Sequence, residues 1–276
     1  MGKTVRRRFG LRFILVLFCV LGLAGVTFGQ TYLGFDRNGY PGDANLKTLH
    51  QTFAYTGYWL NNPPGEKTNS WRGHRDAVKS AGFGFLVLFN GRLYAELKSV
   101  ANAKRLGQSD AHAAAASAKR EGFPAQTIIF LDQEQGGAML PEQSAYIYAF
   151  VDGLIAAGFR AGVYCSGMIS PDENKVKTAE DIQRHSAGRK IAYWVTNDAC
   201  APSPGCMVPM PAPHPAQSGI DFADVWQYAQ SPGRKDVALH CSGYNADENC
   251  YPPGFAAQKL YVDLNAATSA DPSHGR

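Results

Sequence analysis

Charged residues are scarce in this sequence: Asp, Glu, Lys and Arg make up 18% of the 276 residues. The N-terminal segment 1–29 holds five of the 27 Lys and Arg residues and none of the 23 Asp and Glu residues, so the rest of the chain carries a net charge of −1. No Lys/Arg cluster follows that segment, whereas nucleic-acid binding needs a basic face. The composition therefore predicts no nucleic-acid partner.

Metal-binding patterns are also missing. The seven histidines show no metal-ligand spacing, and the six cysteines form no C-x-x-C pair of the kind that structural zinc sites use. We therefore expect neither a metal nor a cofactor.

The N-terminal segment has the layout of an export signal. "MGKTVRRRFGLRFILVLFCVLGLAGVTFG" combines a basic start with an apolar run and ends in small residues, Thr27 and Gly29, at the −3 and −1 positions of a cleavage site. We expect cleavage after Gly29, which leaves one domain, 30–276, in a secreted or periplasmic protein that has no membrane contact after signal removal. Arg6 to Phe9 partly fit a twin-arginine signal, and the apolar run fits the general secretory route equally well. A retained single-pass anchor is the alternative, although the run is short of the roughly 20 residues that span a bilayer.

Four cysteines lie in two turn-rich segments, "NDACAPSPGC" and "HCSGYNADENC". Three pairings are possible, and we favour Cys200–Cys206 with Cys241–Cys250 because each pair is close in sequence. A zinc site built from all four is the alternative. Cys165 lies in an apolar run, where we expect a buried free thiol.

Eight apolar, β-branched and aromatic runs alternate with helix-like segments, which favours an α/β fold closed into a parallel (β/α)8 barrel. An alanine-rich helix is predicted with Ser109 as its N-cap, and a second one runs from Pro141 to Gly158. The regions after strands six and seven read as irregular loops that carry the cysteines. The predicted strands span 31–36, 53–60, 83–90, 126–132, 159–166, 190–196, 223–229 and 259–265.

Two carboxylates follow the apolar run of the fourth strand in "IIFLDQEQGG". Residues i and i+2 of a strand point to the same face about 6.6–6.8 Å apart, so Asp132 and Glu134 should look one way and Gln133 the other. They come at the strand end that forms the mouth of a parallel barrel, where such enzymes keep their active sites. The alternative is an acidic pair that caps helix N-termini or binds arginine. Several other strands end in polar residues: Asp36, Asn90, Asn197, Asp198, Asp263 and Asn265.

Aromatic residues in the later strands could cover the apolar faces of a sugar. Tyr164, Trp194, Trp226 and Tyr228 lie near the proposed mouth, and Gln227 alternates with its aromatic neighbours. A core position is the competing interpretation for each ring.

Six segments spread over Tyr32 to Asn265 together resemble the secreted glycoside-hydrolase-like barrel domains, a family formerly catalogued as a domain of unknown function and related to the family 25 lysozymes (muramidases). The segments are "GFDRNG", "FLDQEQG", "GFRAGVYCSG", "IAYWVT", "DVWQYAQ" and "YVDLN".

The resemblance implies a role for each acidic residue. Glu134 would be the general acid, Asp132 would stabilise the charge that develops on the substrate, and Asp36 would orient or tune the pair. Substrate contacts are expected from Tyr164, Trp194, Asp198, Trp226, Gln227 and Asp263.

We therefore expect an exported, monomeric hydrolase of peptidoglycan or a related polysaccharide. A non-catalytic barrel that binds glycan or the cell wall is the alternative.

Overall fold

The computed structural model describes residues 1–2, 29–171, 175–235 and 241–276. Eight strands close into one barrel in chain order, so the predicted α/β barrel is confirmed. The strands are β1 (Tyr32–Asp36), β2 (Tyr55–Trp59), β3 (Gly84–Asn90), β4 (Ile128–Asp132), β5 (Arg160–Ser166), β6 (Ile191–Thr196), β7 (Val225–Ala229) and β8 (Asp263–Ala267).

The last strand corrects the expectation of an all-parallel barrel, because β8 runs antiparallel to both β1 and β7. A parallel pair needs a crossover that returns the chain to the other end of the sheet. The described residues between β7 and β8 contain no α-helix, only a 3-10 turn at Ala256–Gln258. The chain therefore re-enters the barrel at the end where it left. As a result, the first residue of β8, Asp263, stands at the mouth opposite Asp36.

Six α-helices pack outside the strands in the described ranges. They are α1 (Asp43–Leu49), α2 (Arg75–Ser80), α3 (Tyr94–Leu97), α4 (Val100–Glu121), α5 (Pro141–Ala156) and α6 (Thr178–Arg184). The predicted start of α5 at Pro141 is confirmed, but Ser109 lies inside α4 and is not its N-cap. The N-cap is Ser99, whose Oγ accepts a hydrogen bond from the Asn102 N–H. The helix continues through Gly107, where a Cβ would stand 2.3 Å from the Tyr146 carbonyl oxygen of α5.

Aromatic rings fill the barrel interior where neighbouring strands carry glycine. A Cβ at Gly34 would stand 2.2 Å from the Tyr55 ring, and one at Gly162 would stand 2.3 Å from the Phe130 ring. Trp194 packs against Phe130 with ring centroids 6.4 Å apart. This apolar layer fills the barrel below its mouth. The inward-facing polar side chains nearer the mouth therefore pack on an apolar layer.

Two disulfides join the loops that follow β6 and β7, and their pairing differs from the prediction. Cys200 is bonded to Cys241, and Cys206 is bonded to Cys250. The two loops lie side by side, with the Cys206 N–H donating to the Ser242 carbonyl at 2.9 Å. The disulfide partners are therefore set by contact between the two loops and not by closeness in sequence. The bridges also exclude the alternative of a four-cysteine zinc site, and Cys165 is a buried free thiol as predicted.

The predicted export signal falls almost wholly on residues 3–28, which lie outside the described residues. None of the helices in the described ranges combines the length and apolar character needed to cross a membrane.

Candidate active site at the barrel mouth

Asp36, the last residue of β1, is buried inside the barrel and held by two amides. Its Oδ1 accepts hydrogen bonds from Asn265 Nδ2 at 2.7 Å and from Gln227 Nε2 at 3.1 Å. Burial raises the pKa of Asp36 to about 6, and the two amide hydrogen bonds oppose that rise. A Cβ at Gly57 would stand 2.6 Å from the Asp36 Cβ, so glycine on β2 leaves the space that this side chain needs.

Gln227 of β7 joins the polar groups of several strands. Its Nε2 donates to Asp36 and lies 3.5 Å from Asp263 Oδ2, while its Oε1 accepts from the Tyr164 hydroxyl at 2.6 Å and from Gln230 Nε2 at 3.0 Å. With only 2% of its surface exposed, Gln227 is committed to protein partners. The structure therefore gives it an orienting position between two carboxylates, rather than the expected direct contact with substrate.

Asp132 ends β4 and is buried, with 7% of its surface exposed. Burial raises the pKa of Asp132 well above its usual value, and the negative charges of Glu134 and Asp36 add to the rise. Its Oδ1 atom has no hydrogen-bond partner among the described residues. Asp132 is therefore sensitive to the charges of both other acids predicted from the sequence.

Glu134 differs from Asp132 because it lies beyond the end of β4 and is exposed. The loop that carries it is anchored on α6: the Gly137 N–H donates to Thr178 Oγ1 at 2.8 Å, and the Met139 N–H donates to Asp181 Oδ2 at 2.9 Å. Gln133 is buried and does not line the cleft that Glu134 faces. The loop thus exposes the Glu134 side chain, whereas the preceding residue, Gln133, is buried.

An open cleft of about 570 Å³ lies at this mouth. Glu134 lines it together with Tyr164 of β5, whose hydroxyl accepts from Gln230 Nε2 at 3.0 Å. The other described lining residues are mostly small or polar: Gly136, Gly137, Ser166, Met168, Ile169, Ser170, Pro171, Thr196, Gln230 and Arg234. Donors and acceptors on a wall of this size suit a polyhydroxylated ligand.

Asp198 and Arg234 form an ion pair at the same cleft. Arg234 Nε donates to Asp198 Oδ2 at 3.0 Å, and Arg234 Nη2 contacts Asp198 Oδ1. Asp198 is fully buried, whereas the arginine side chain is 37% exposed. Asp198 is therefore an anchor for Arg234, which corrects the expectation that Asp198 touches substrate itself.

Asp263 is held by the Ser231 N–H, which donates to its Oδ1 at 2.6 Å. Burial raises the pKa of Asp263 well above its usual value, the charge of Asp36 adds to the rise, and the charge of Arg37 opposes it. Asp263 is partly buried and is not among the described residues that line the cleft.

The tryptophans expected at the sugar site lie in the core instead. Trp194 donates from Nε1 to Asn265 Oδ1 at 2.8 Å, and Trp226 donates to the Asn197 carbonyl at 2.9 Å. Both are buried, with 2% and 0% exposure, and so is Tyr228. Burial corrects the prediction of substrate contact for Trp194 and Trp226, whereas Tyr164 does line the cleft.

Three polar residues of the site had no assigned role in the sequence prediction: Arg234, Gln230 and Asn265. Asn265 was visible only as one of several polar strand ends. Arg234 and Gln230 follow β7 in "AQSPGR", where no motif marks them. Their roles depend on loops that fold back over the mouth, and a single sequence carries no signal for that contact.

The protein is a closed α/β barrel with acidic side chains at one mouth. The sequence matches the profile of the Rv2525c-like, glycoside hydrolase-like domain family over residues 55–218, more than half of the chain. The protein belongs to that family, which confirms the resemblance found in the sequence.

Solved structures share the fold. An uncharacterized protein from B. stearothermophilus is 22% identical with a TM-score of 0.55, over 85% of this chain and 95% of that one. The Tat-secreted protein Rv2525c of Mycobacterium tuberculosis is 14% identical with a TM-score of 0.49, over 86% and 94%. A lysozyme from Streptomyces coelicolor is 16% identical with a TM-score of 0.48, over 87% and 92%. No curated protein matches the sequence.

Proposed function

We propose that this protein is an exported, monomeric glycoside hydrolase that cleaves a cell-wall glycan, peptidoglycan or a related polysaccharide, by carboxylate acid/base chemistry. One observation carries the proposal: Asp36, Asp132 and Glu134 interact electrostatically beside an open polar cleft, and the charges of the other two raise the pKa of Asp132. Neighbouring acids whose pKa values are pushed apart supply both a protonated and an ionised group.

Glu134 is the proposed proton donor because, of the three acids, it lines the cleft that a sugar would enter. Asp132 is buried beside it, and burial together with the charges of Glu134 and Asp36 raises the pKa of Asp132. A bound sugar would exclude water from the cleft, and loss of water favours the uncharged form of a carboxyl group. Asp36 would tune Asp132 through its negative charge.

The two disulfides support the export part of the proposal. Structural disulfides persist in oxidising compartments such as the periplasm and the extracellular space. A polysaccharide of the cell wall would be reached from either place.

The test is release of reducing ends and loss of turbidity from purified peptidoglycan. We expect Glu134→Gln to lower the rate by at least about 100-fold, because general acid catalysis typically contributes about 10²–10⁴-fold. Glu66→Gln is the matched control, since Glu66 is exposed and lies outside the cleft wall. Circular dichroism should show both variants folded. Equal activity in the wild type and the Glu134→Gln variant would rule out this mechanism and favour the non-catalytic glycan-binding alternative.

A further inference from the structure

Among the described residues that line the cleft, Arg234 is basic and Glu134 is acidic. We propose that Arg234 is a specificity-determining residue that binds a free carboxylate on a sugar of the glycan. This inference rests on the proposed function, because it places an acidic sugar beside the group that would donate the proton.

The guanidinium is held in place before any ligand arrives. Two of its nitrogens contact the carboxylate of Asp198, and Nη2 lies 3.2 Å from the Met168 sulfur. Because the Asp198 side chain has 0% exposure, the anchoring carboxylate is shielded from solvent. A fixed arginine loses little conformational freedom when it binds a further group.

The anchor is itself fixed by a disulfide. The sulfur atoms of Cys200 and Cys241 lie 3.9 Å and 3.6 Å from the Asp198 carbonyl oxygen. This bridge ties the loop after β6, which carries Asp198, to the loop that carries Arg234. The bridge therefore holds Arg234 and its anchor Asp198 together at the cleft that Glu134 and Tyr164 line.

Neutral donors and acceptors surround the two charges on the cleft wall: Ser166, Ser170, Thr196 and Gln230. These groups suit sugar hydroxyls and discriminate little between one neutral sugar and another. A guanidinium presents planar N–H groups that match the two oxygens of a carboxylate. A sugar that carries a carboxylate would thus gain a charge-assisted contact that a neutral sugar lacks.

The experiment compares two ligands that differ in one charge. The free acid is a disaccharide of N-acetylglucosamine and N-acetylmuramic acid, and the neutral ligand is its carboxyl methyl ester. Calorimetric titration in the Glu134→Gln background measures binding without turnover. We expect the acid to bind roughly 10- to 100-fold more tightly than the ester, as a hydrogen bond to a charged group allows, and the preference to shrink as salt is added.

Removing Arg234 alone would leave Asp198 buried and unpaired, which can unfold the loop. The informative variant is therefore Arg234→Gln combined with Asp198→Asn, with Arg105→Gln on α4 as the matched control. We expect the double variant to bind acid and ester equally and the control to keep the preference. Equal binding of the two ligands to the parent protein, failure of the parent to bind the acid, or a preference that survives in the double variant would overturn the inference.

The outcomes separate this inference from the proposed function. If the wild type releases no reducing ends but binds the acid through Arg234, the specificity assignment stands and hydrolysis is wrong. If the wild type hydrolyses acidic and neutral glycan equally well, hydrolysis stands and the assignment of Arg234 is wrong.

Discussion

At the scale of single residues, the site concentrates acids where burial works against their ionisation. Asp36, Asp132 and Asp263 all have raised pKa values, and burial is the largest cause in each case. The amides of Gln227 and Asn265 offset part of the cost at Asp36. Groups held in this way reduce the stability of the fold at neutral pH, as functional sites commonly do.

This cost predicts the pH dependence of stability. The pKa of Asp36 is about 6 in the folded protein against an ordinary value of 3.8. The folded state therefore binds this proton more tightly, and the free energy of unfolding should fall as pH rises from about 4 to about 6. Asp36→Asn lacks this ionisation, so its decrease across that range should be smaller by up to about 3 kcal/mol. Urea denaturation at several pH values measures the difference.

Asn can accept the same two amide hydrogen bonds through its own Oδ1, so the variant should fold. Asp221→Asn, at an exposed position before β7, is the control and should follow the wild-type curve. Wild-type and Asp36→Asn curves that run parallel from pH 4 to 7 would contradict the prediction.

At the scale of elements, the position at which each strand ends determines which side chains lie at the mouth of the barrel. The strand β4 delivers a buried acid at its last residue and an exposed acid two residues later. The antiparallel β8 brings Asp263 and Asn265 to the same mouth with its N-terminal half. The sequence also predicted both residues at the mouth, but as the C-terminal end of a parallel strand rather than the N-terminal half of an antiparallel one.

The start of α4 supplies a prediction for this scale. Ser99→Ala removes the N-cap hydrogen bond to the Asn102 N–H, so it should lower the free energy of unfolding by about 1 kcal/mol. Ser109→Ala, ten residues further on, replaces an exposed mid-helix serine with a better helix former and should be neutral or stabilise by a few tenths of a kcal/mol. Denaturant titration of both variants measures the contrast. Equal losses, or a larger loss at Ser109, would place the helix start where the sequence predicted it.

At the scale of the whole molecule, two disulfides join loops that are far apart in sequence. The bridged residues are 41 and 44 positions apart. Together they link the loops after β6 and β7, whose described residues form no α-helix. Loss of such a bridge typically costs about 2–4 kcal/mol.

Peptide mapping without reductant tests the pairing. After proteolysis between the cysteines, we expect one cross-linked species that contains Cys200 with Cys241 and another that contains Cys206 with Cys250. Cys165 should react with an alkylating reagent only after denaturation, since it is buried. Cross-links of Cys200 with Cys206 would restore the pairing by sequence proximity. Alkylation of all four loop cysteines in the unreduced protein would show that no bridge forms.

The sequence alone determined the elements that depend on local patterns. Eight apolar runs became eight strands because the buried strands of a closed barrel need continuous apolar segments. The placement of Asp36, Asp132 and Glu134 near one mouth followed from the same rule, since residues at the ends of such strands meet at one edge. The helix start at Pro141 and the irregular loops that carry the cysteines were also predicted from local sequence.

The tertiary structure decided everything that depends on contacts between distant segments. Partners of the cysteines, the direction of β8, the burial of Trp194 and Trp226, and the pairing of Arg234 with Asp198 all arise where loops or strands far apart in sequence pack together. A strand aromatic reads the same whether it faces the core or a cleft, because its local sequence is identical in both cases. Residues that are distant in sequence but close in the barrel determine which side chains water can reach. Solvent access in turn determines the pKa values of the site and the groups that a ligand can contact.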